Sequence, residues 1–76
     1  MTRPNLTPWY AVGNGYTRAQ RRPYAEMETY PTAGGWRWRV DRIAPKSGRF
    51  ETVAEGMAPG ETSAKRAAVD SAAALR

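Results

Sequence analysis

The chain has 76 residues with no cysteine and no histidine, and its formal net charge is +5 from 12 Lys+Arg against 7 Asp+Glu. This length allows one domain with a small core, and the missing cysteines exclude disulfides and thiolate metal sites. Histidine is the commonest general base and metal ligand, so we expect no enzyme and no cofactor. The basic balance favours nucleic acid or an acidic protein surface as partner, and no small-molecule substrate.

No apolar run in the sequence approaches the length of a membrane span, and no apolar segment typical of a signal peptide follows Met1. We therefore expect a cytoplasmic protein that does not contact a membrane. The sequence does not indicate an oligomeric state.

Residues 1–23 form a basic segment that is rich in turn-forming residues. The segment holds four arginines, three prolines and no acidic residue, which is typical of a loop or a loosely attached arm. Its one strand-like piece is Trp9-Tyr10-Ala11-Val12, and the Asn14-Gly15 pair that follows is a hairpin turn signal. The sequence therefore predicts a basic irregular N-terminal arm, with room for a short hairpin from about Trp9 to Thr17.

Residues 24–76 contain clearer signals, beginning with three strands. The first strand alternates polar and apolar residues from Tyr24 and ends at Pro31. The second follows a Gly-Gly turn and runs over residues 36–43, with Trp36, Trp38 and Val40 on one face. The third runs over residues 50–55 and stops at Gly56.

The last segment predicts a helix with a narrow apolar stripe at helical spacing, made of Ala64, Ala67, Ala68, Ser71, Ala72 and Leu75. Alanines let a helix approach a sheet closely, so the core volume must come from the sheet. The candidates are Trp36, Trp38, Phe50 and either Met27 or Met57. The predicted fold class is α+β: a three-stranded antiparallel sheet (βββα, residues 24–76) packed against one C-terminal helix, after the arm of residues 1–23.

Two registers are open for the hairpin that follows Ile43. A three-residue loop, Lys46-Ser47-Gly48, places Val40 opposite Ala54 and puts Phe50 in the core beneath the helix. A four-residue loop instead places Val40 opposite Val53 and turns Phe50 to the other face. We favour the three-residue loop, in which Arg37 and Arg39 mainly form ion pairs with carboxylates on neighbouring strands.

The stretches GGWRWRVDRI, APKSGRF and GMAPGETSAKRAA together resemble the arm-type DNA-binding domain found at the N-terminus of tyrosine-recombinase integrases. The resemblance covers about two-thirds of the chain. It implies that the exposed sheet face enters the major groove, where Arg37, Arg39, Lys46 and Arg49 would read bases and phosphates. Small accessory proteins of phages also look like this, and many of those bind host proteins.

Two functions follow from these observations. The first is a non-catalytic nucleic-acid-binding module that uses cations of the arm and of the hairpin tip, with aromatic residues interleaved for base stacking. Its candidate binding residues are Arg3, Arg18, Arg21, Arg22, Lys46 and Arg49, and the aromatics are Trp9, Tyr10, Tyr16 and Tyr24. The alternative is a protein-binding inhibitor or adaptor of the phage accessory type, which would engage a host protein through an acidic surface or a strand edge.

Overall fold

The computed structural model describes residues 4–75. They form one antiparallel sheet, whose strands follow each other in chain order, and one helix. The helix packs against the last three strands; we call the opposite side of the sheet the open face, since no other element of residues 4–75 lies on it. The elements are β1 (Tyr10–Val12), β2 (Gly15–Gln20), β3 (Ala25–Thr32), β4 (Gly35–Ile43), β5 (Phe50–Ala58) and α1 (Glu61–Ala73).

The sheet has five strands, so the prediction of a three-stranded sheet is wrong. The segment expected to be an irregular arm supplies β1 and β2, which form a hairpin, and β2 then pairs with β3 over residues 16–20. The hairpin loop is Gly13-Asn14 and not Asn14-Gly15. Gly13 has a φ of 59°, and glycine at the first loop position is what a type II′ hairpin turn requires.

The residues before β1 also lie along β2, even though Pro8 interrupts the strand. Leu6 forms a bridge with Gln20, and the Thr7 amide donates to the Ala19 carbonyl at 2.9 Å. Proline has no N–H and breaks a ladder locally. Here it interrupts the pairing without detaching the segment, which is why proline content misled the sequence-based prediction.

The β4–β5 hairpin combines both of the registers that the sequence left open. Val40 pairs with Ala54, as a three-residue loop requires, whereas Ile43 pairs with Phe50, as a four-residue loop requires. The change occurs at a β-bulge beside Val40, where β5 contains one extra residue, Val53. A bulge of this kind reverses the faces of all residues beyond it.

Phe50 is consequently not a core residue, in contrast to the prediction. It lies on the open face beside Ile43 and is 54% exposed. β5 also continues past Gly56 to Ala58. The Trp38 ring lies over Gly56, and a Cβ at this position would be only 2.9 Å from that ring. Glycine therefore leaves the space that the ring occupies.

The core is small and lies between β3, β4 and the helix. Met27 and Val40 are its largest fully buried apolar side chains. The helix contributes a buried stripe of alanines, which confirms the predicted close contact between helix and sheet. The buried alanines are Ala64, Ala68 and Ala72.

One buried polar side chain connects β2 to the end of the helix. Gln20 is 3% exposed, and its amide nitrogen donates to the carbonyls of Pro23 and Ala72, each at 2.9 Å. Because a buried amide needs hydrogen-bond partners, this arrangement fixes the turn after β2 against the last helical turn.

The two methionines that the sequence left as alternatives for the core make a matched pair for testing the packing. We expect Met27→Ala to lower the free energy of unfolding by about 2–5 kcal/mol, because it leaves a cavity under the helix. Met57 is 49% exposed, so Met57→Ala should change it by about 0.5 kcal/mol or less. Urea denaturation of both variants measures the difference, and equal effects would contradict the described core. Should Met27→Ala not fold, Met27→Leu provides a milder replacement.

Candidate functional site

Four of the six candidate binding residues lie at one end of the sheet, which we call the basic end. In an antiparallel sheet with strands in chain order, alternate connections lie at the same end. The β2–β3 turn (residues 21–24) and the β4–β5 loop (residues 44–49) therefore lie together, two strand spacings or about 10 Å apart. They carry Arg21, Arg22, Lys46 and Arg49, all exposed.

The backbone of both loops is held in place by hydrogen bonds. Asn5 brackets the first loop: its side-chain oxygen accepts from the Arg22 amide at 3.0 Å, and its side-chain nitrogen donates to the Arg22 carbonyl at 3.1 Å. In the second loop the Gly48 amide donates to the Ala44 carbonyl at 2.9 Å. Gly48 has a φ of 69°, a left-handed conformation that favours glycine.

Within residues 4–75, none of the four cations of the basic end forms an ion pair. Arg21 donates through Nε to the Pro4 carbonyl at 3.0 Å. A fifth cation at this end, Arg42, is neutralised by Glu51, whose Oε1 lies 2.7 Å from the Arg42 Nε. The basic end therefore carries positive charge that the described residues do not balance.

Arg18 has a different role from the other candidates. Its Nε donates to the Thr7 carbonyl at 2.8 Å, and its guanidinium lies 5.0 Å from the centre of the Trp9 ring. Burial lowers the pKa of Arg18. These contacts hold the segment before β1 against the sheet. The remaining candidate, Arg3, lies outside the described residues.

Two of the aromatic residues proposed for base stacking, Trp9 and Tyr16, instead make contacts within the protein. The Lys65 ammonium of the helix lies 3.7 Å from the centre of the Tyr16 ring and 5.3 Å from that of Trp9. Tyr16 also stacks on Trp36, with 6.3 Å between ring centres. These cation–π and stacking contacts fasten the β1–β2 hairpin to the helix and leave Tyr10 and Tyr24 as the exposed members of the set.

The two arginines on the open face are held in ion pairs, as the sequence predicted. Arg37 lies 3.2 Å from Glu55, and Arg39 lies 3.5 Å from Glu28 and 3.4 Å from Asp41. With Glu26 also on this face, four carboxylates face two arginines. The resemblance to integrase domains assigned Arg37 and Arg39 to base reading, but here their charge is already compensated.

Two exposed aromatic side chains lie next to the basic end. Tyr24 belongs to the first loop, and its hydroxyl donates to Glu26 at 2.7 Å. This bond, with partial burial and the carboxylate charge, raises the pKa of Tyr24. Phe50 directly follows the second loop, and sequence reasoning missed it because a bulge has no clear signature in the residue pattern.

A groove of about 440 Å³ lies at the β1–β2 hairpin, away from the basic end, and carries no cation to hold an anion. In the part of the chain that the structure describes, no three side chains of the metal-ligating type come together. The groove is lined by Val12, Asn14, Gly15, Tyr16, Thr17, Glu28, Thr29 and Tyr30.

No family model, curated protein or solved structure matches this chain significantly. The resemblance to integrase domains therefore stays a prediction, and the site is interpreted from its own geometry. Among residues 4–75 there is no helix with the length and apolar character of a membrane span.

The different roles of the arginines can be tested through stability. We expect Arg18→Ala to lower the free energy of unfolding by about 1–3 kcal/mol, because it removes a charge-assisted hydrogen bond and a cation–π contact. Arg22→Ala, which removes an exposed side chain, should change it by about 0.5 kcal/mol or less. Thermal or urea unfolding of the two variants measures this, and the reverse order would refute the structural role of Arg18.

The environment of Tyr24 predicts a pH effect. Glu26→Gln should lower the pKa of Tyr24 towards its ordinary value of about 10, because the carboxylate that stabilises the neutral phenol is lost. A raised folded-state pKa means that the contribution to stability is complete below about pH 10 and is lost as the pH rises through the folded-state value. Tyrosinate absorbance during a pH titration measures the pKa, with Tyr24→Phe as the reference that identifies the signal of Tyr24.

Proposed function

We propose that this protein is a small non-catalytic nucleic-acid-binding module that contacts phosphates through its basic end. The observation that carries the proposal is the set of four exposed cations, gathered from two loops, for which residues 4–75 supply no carboxylate partner. Three of the four are arginines, and the planar guanidinium fork suits phosphate oxygens.

The comparison between the basic end and the open face favours the end as the binding surface. Arg37 and Arg39 would have to leave Glu55, Glu28 and Asp41 before they could contact a phosphate. The cations of the basic end break no ion pair with the described residues when they bind, and their binding releases counterions from the nucleic acid. The integrase mode, with the sheet face in the major groove, is therefore less well supported than contact through the loops.

A protein partner, bound by strand addition to β5, is the alternative. β5 is an edge strand of nine residues and is largely exposed, which is the feature that strand addition uses. However, the bulge at Val53 and the glutamates at positions 51 and 55 are devices that typically prevent pairing at sheet edges. The edge therefore supports an adaptor or inhibitor function less well than the basic end supports nucleic-acid binding.

Salt-dependent binding of labelled oligonucleotides tests the proposal. The double variants Arg21→Gln/Arg22→Gln and Lys46→Gln/Arg49→Gln should each weaken binding, measured by fluorescence anisotropy. Each lost phosphate contact should reduce the slope of log K against log salt by about 0.7 on a single strand or about 0.9 on a duplex.

The matched control is Arg37→Gln/Arg66→Gln, which removes the same charge away from the basic end. Arg37 is paired on the open face and Arg66 is exposed on the helix. This control should retain the slope of the unchanged protein. If all three variants lose affinity equally, only net charge matters and the assignment to the basic end is wrong. If the unchanged protein binds no oligonucleotide, the function itself is wrong.

A further inference from the structure

Three exposed apolar side chains lie in a row across the open face at the basic end. Ile43 and Phe50 are paired residues of β4 and β5. Tyr24 directly precedes Ala25, whose partner is Arg42, so the register places Tyr24 level with Ile43. The exposed fractions of Tyr24, Ile43 and Phe50 are 43%, 45% and 54%.

All three side chains point to the same side of the sheet. The Tyr24 hydroxyl reaches Glu26, two residues further on, and residues two apart on a strand share a face. Ile43 shares the face of Asp41, which bonds Thr52 and Arg39 there. Neighbouring strands lie about 4.8 Å apart, so the backbone positions of Tyr24 and Phe50 lie about 10 Å apart with Ile43 between them.

Cations of the basic end are close in sequence to both aromatic residues of this row. Arg21 and Arg22 precede Tyr24 within three residues, and Arg49 directly precedes Phe50. Exposed aromatic rings thus lie beside cations that have no carboxylate partner among residues 4–75. Proteins that bind single-stranded nucleic acids combine these two features. The cations hold the phosphates and the rings stack on unpaired bases.

We propose that the basic end binds single-stranded nucleic acid in preference to a duplex, with Tyr24 and Phe50 as base-stacking residues. This inference rests on the proposed function and specifies its ligand. In a duplex the bases are stacked on one another and cannot cover the two rings, so a duplex can use only the cations. An unpaired strand can use the cations and the rings together.

Alanine variants of the two aromatics, together with variants that keep a ring, test this proposal. The probe is a labelled oligodeoxythymidine of roughly eight nucleotides, within the range of about 4–16 that single-strand sites cover. Tyr24→Ala and Phe50→Ala should each weaken its binding about 5- to 150-fold, the range that loss of one stacked base gives. Tyr24→Phe and Phe50→Tyr keep a ring and should bind within about threefold of the unchanged protein.

Tyr10→Ala and Met57→Ala serve as controls on the same open face. Both side chains are exposed, and neither borders the basic end. These two variants should bind the probe as the unchanged protein does. A duplex of the same length should bind more weakly than the single strand, and its affinity should not change in Tyr24→Ala or Phe50→Ala.

The outcomes separate this inference from the function on which it rests. If Tyr24→Ala and Phe50→Ala bind the single strand normally while the double variants of the basic end lose affinity and salt slope, phosphate binding stands and base stacking is refuted. Equal affinity for duplex and single strand also refutes the preference. If the unchanged protein binds neither probe, both proposals are refuted.

Discussion

One extra residue in β5, Val53, determines the chemical character of the basic end. Between this bulge and the start of the helix, β5 places Ala54 and Gly56 under the helix, and Trp38 covers the glycine. Beyond the bulge the faces are reversed, so that Phe50 and Ile43 stand on the open face. Burial of such side chains contributes roughly 2–3 kcal/mol each, so this sheet forgoes stability at the end where its unbalanced cations are found. A sheet without the bulge would turn Phe50 towards the helix and direct Glu51 to the open face.

The core is small, and a sheet of three strands would not cover it. The fully buried residues of the helix are all alanines, and Met27 and Val40 are the largest fully buried apolar side chains of the sheet. A sheet that began at β3 would leave Met27 at an edge. β2 and the residues before β1 close this side, where Leu6 and Trp9 pack against the margin of the core. Residues 6–20 are therefore a structural part of the sheet, whereas Pro4, Asn5 and the turn at residues 21–24 lie at the basic end.

β3, β4, the start of β5 and the helix could be predicted, because their alternation and their apolar stripe have the periods of the structures they form. The hairpin of β1 and β2 was foreseen only as an option from about Trp9 to Thr17. The pairing of β2 with β3 was not foreseen, since Pro4, Pro8 and Pro23 made that segment look irregular. In β2 the residues on the helix side are Tyr16, Arg18 and Gln20. Each combines an apolar stem with a polar tip, so the alternation of apolar and polar residues that is typical of a half-buried strand is not visible in the sequence. Lys46 and Arg49 were expected at a hairpin tip and are found there. Phe50 was missed because the favoured three-residue register places it in the core. The four-residue register turns it to the open face, but neither register alone allows this together with Val40 opposite Ala54.

The amide of Gln20 links the stability of the helix end to the position of the first cationic loop. It donates to Pro23 within that loop and to Ala72 in the last helical turn. Terminal helical turns open locally at a small free-energy cost, long before the protein unfolds. Opening of this turn removes one of the two acceptors of a buried amide and loosens the attachment of the loop that carries Arg21 and Arg22. Amide hydrogen exchange at the end of α1 and the mobility of the loop therefore both report on the same equilibrium, the local opening of the last helical turn.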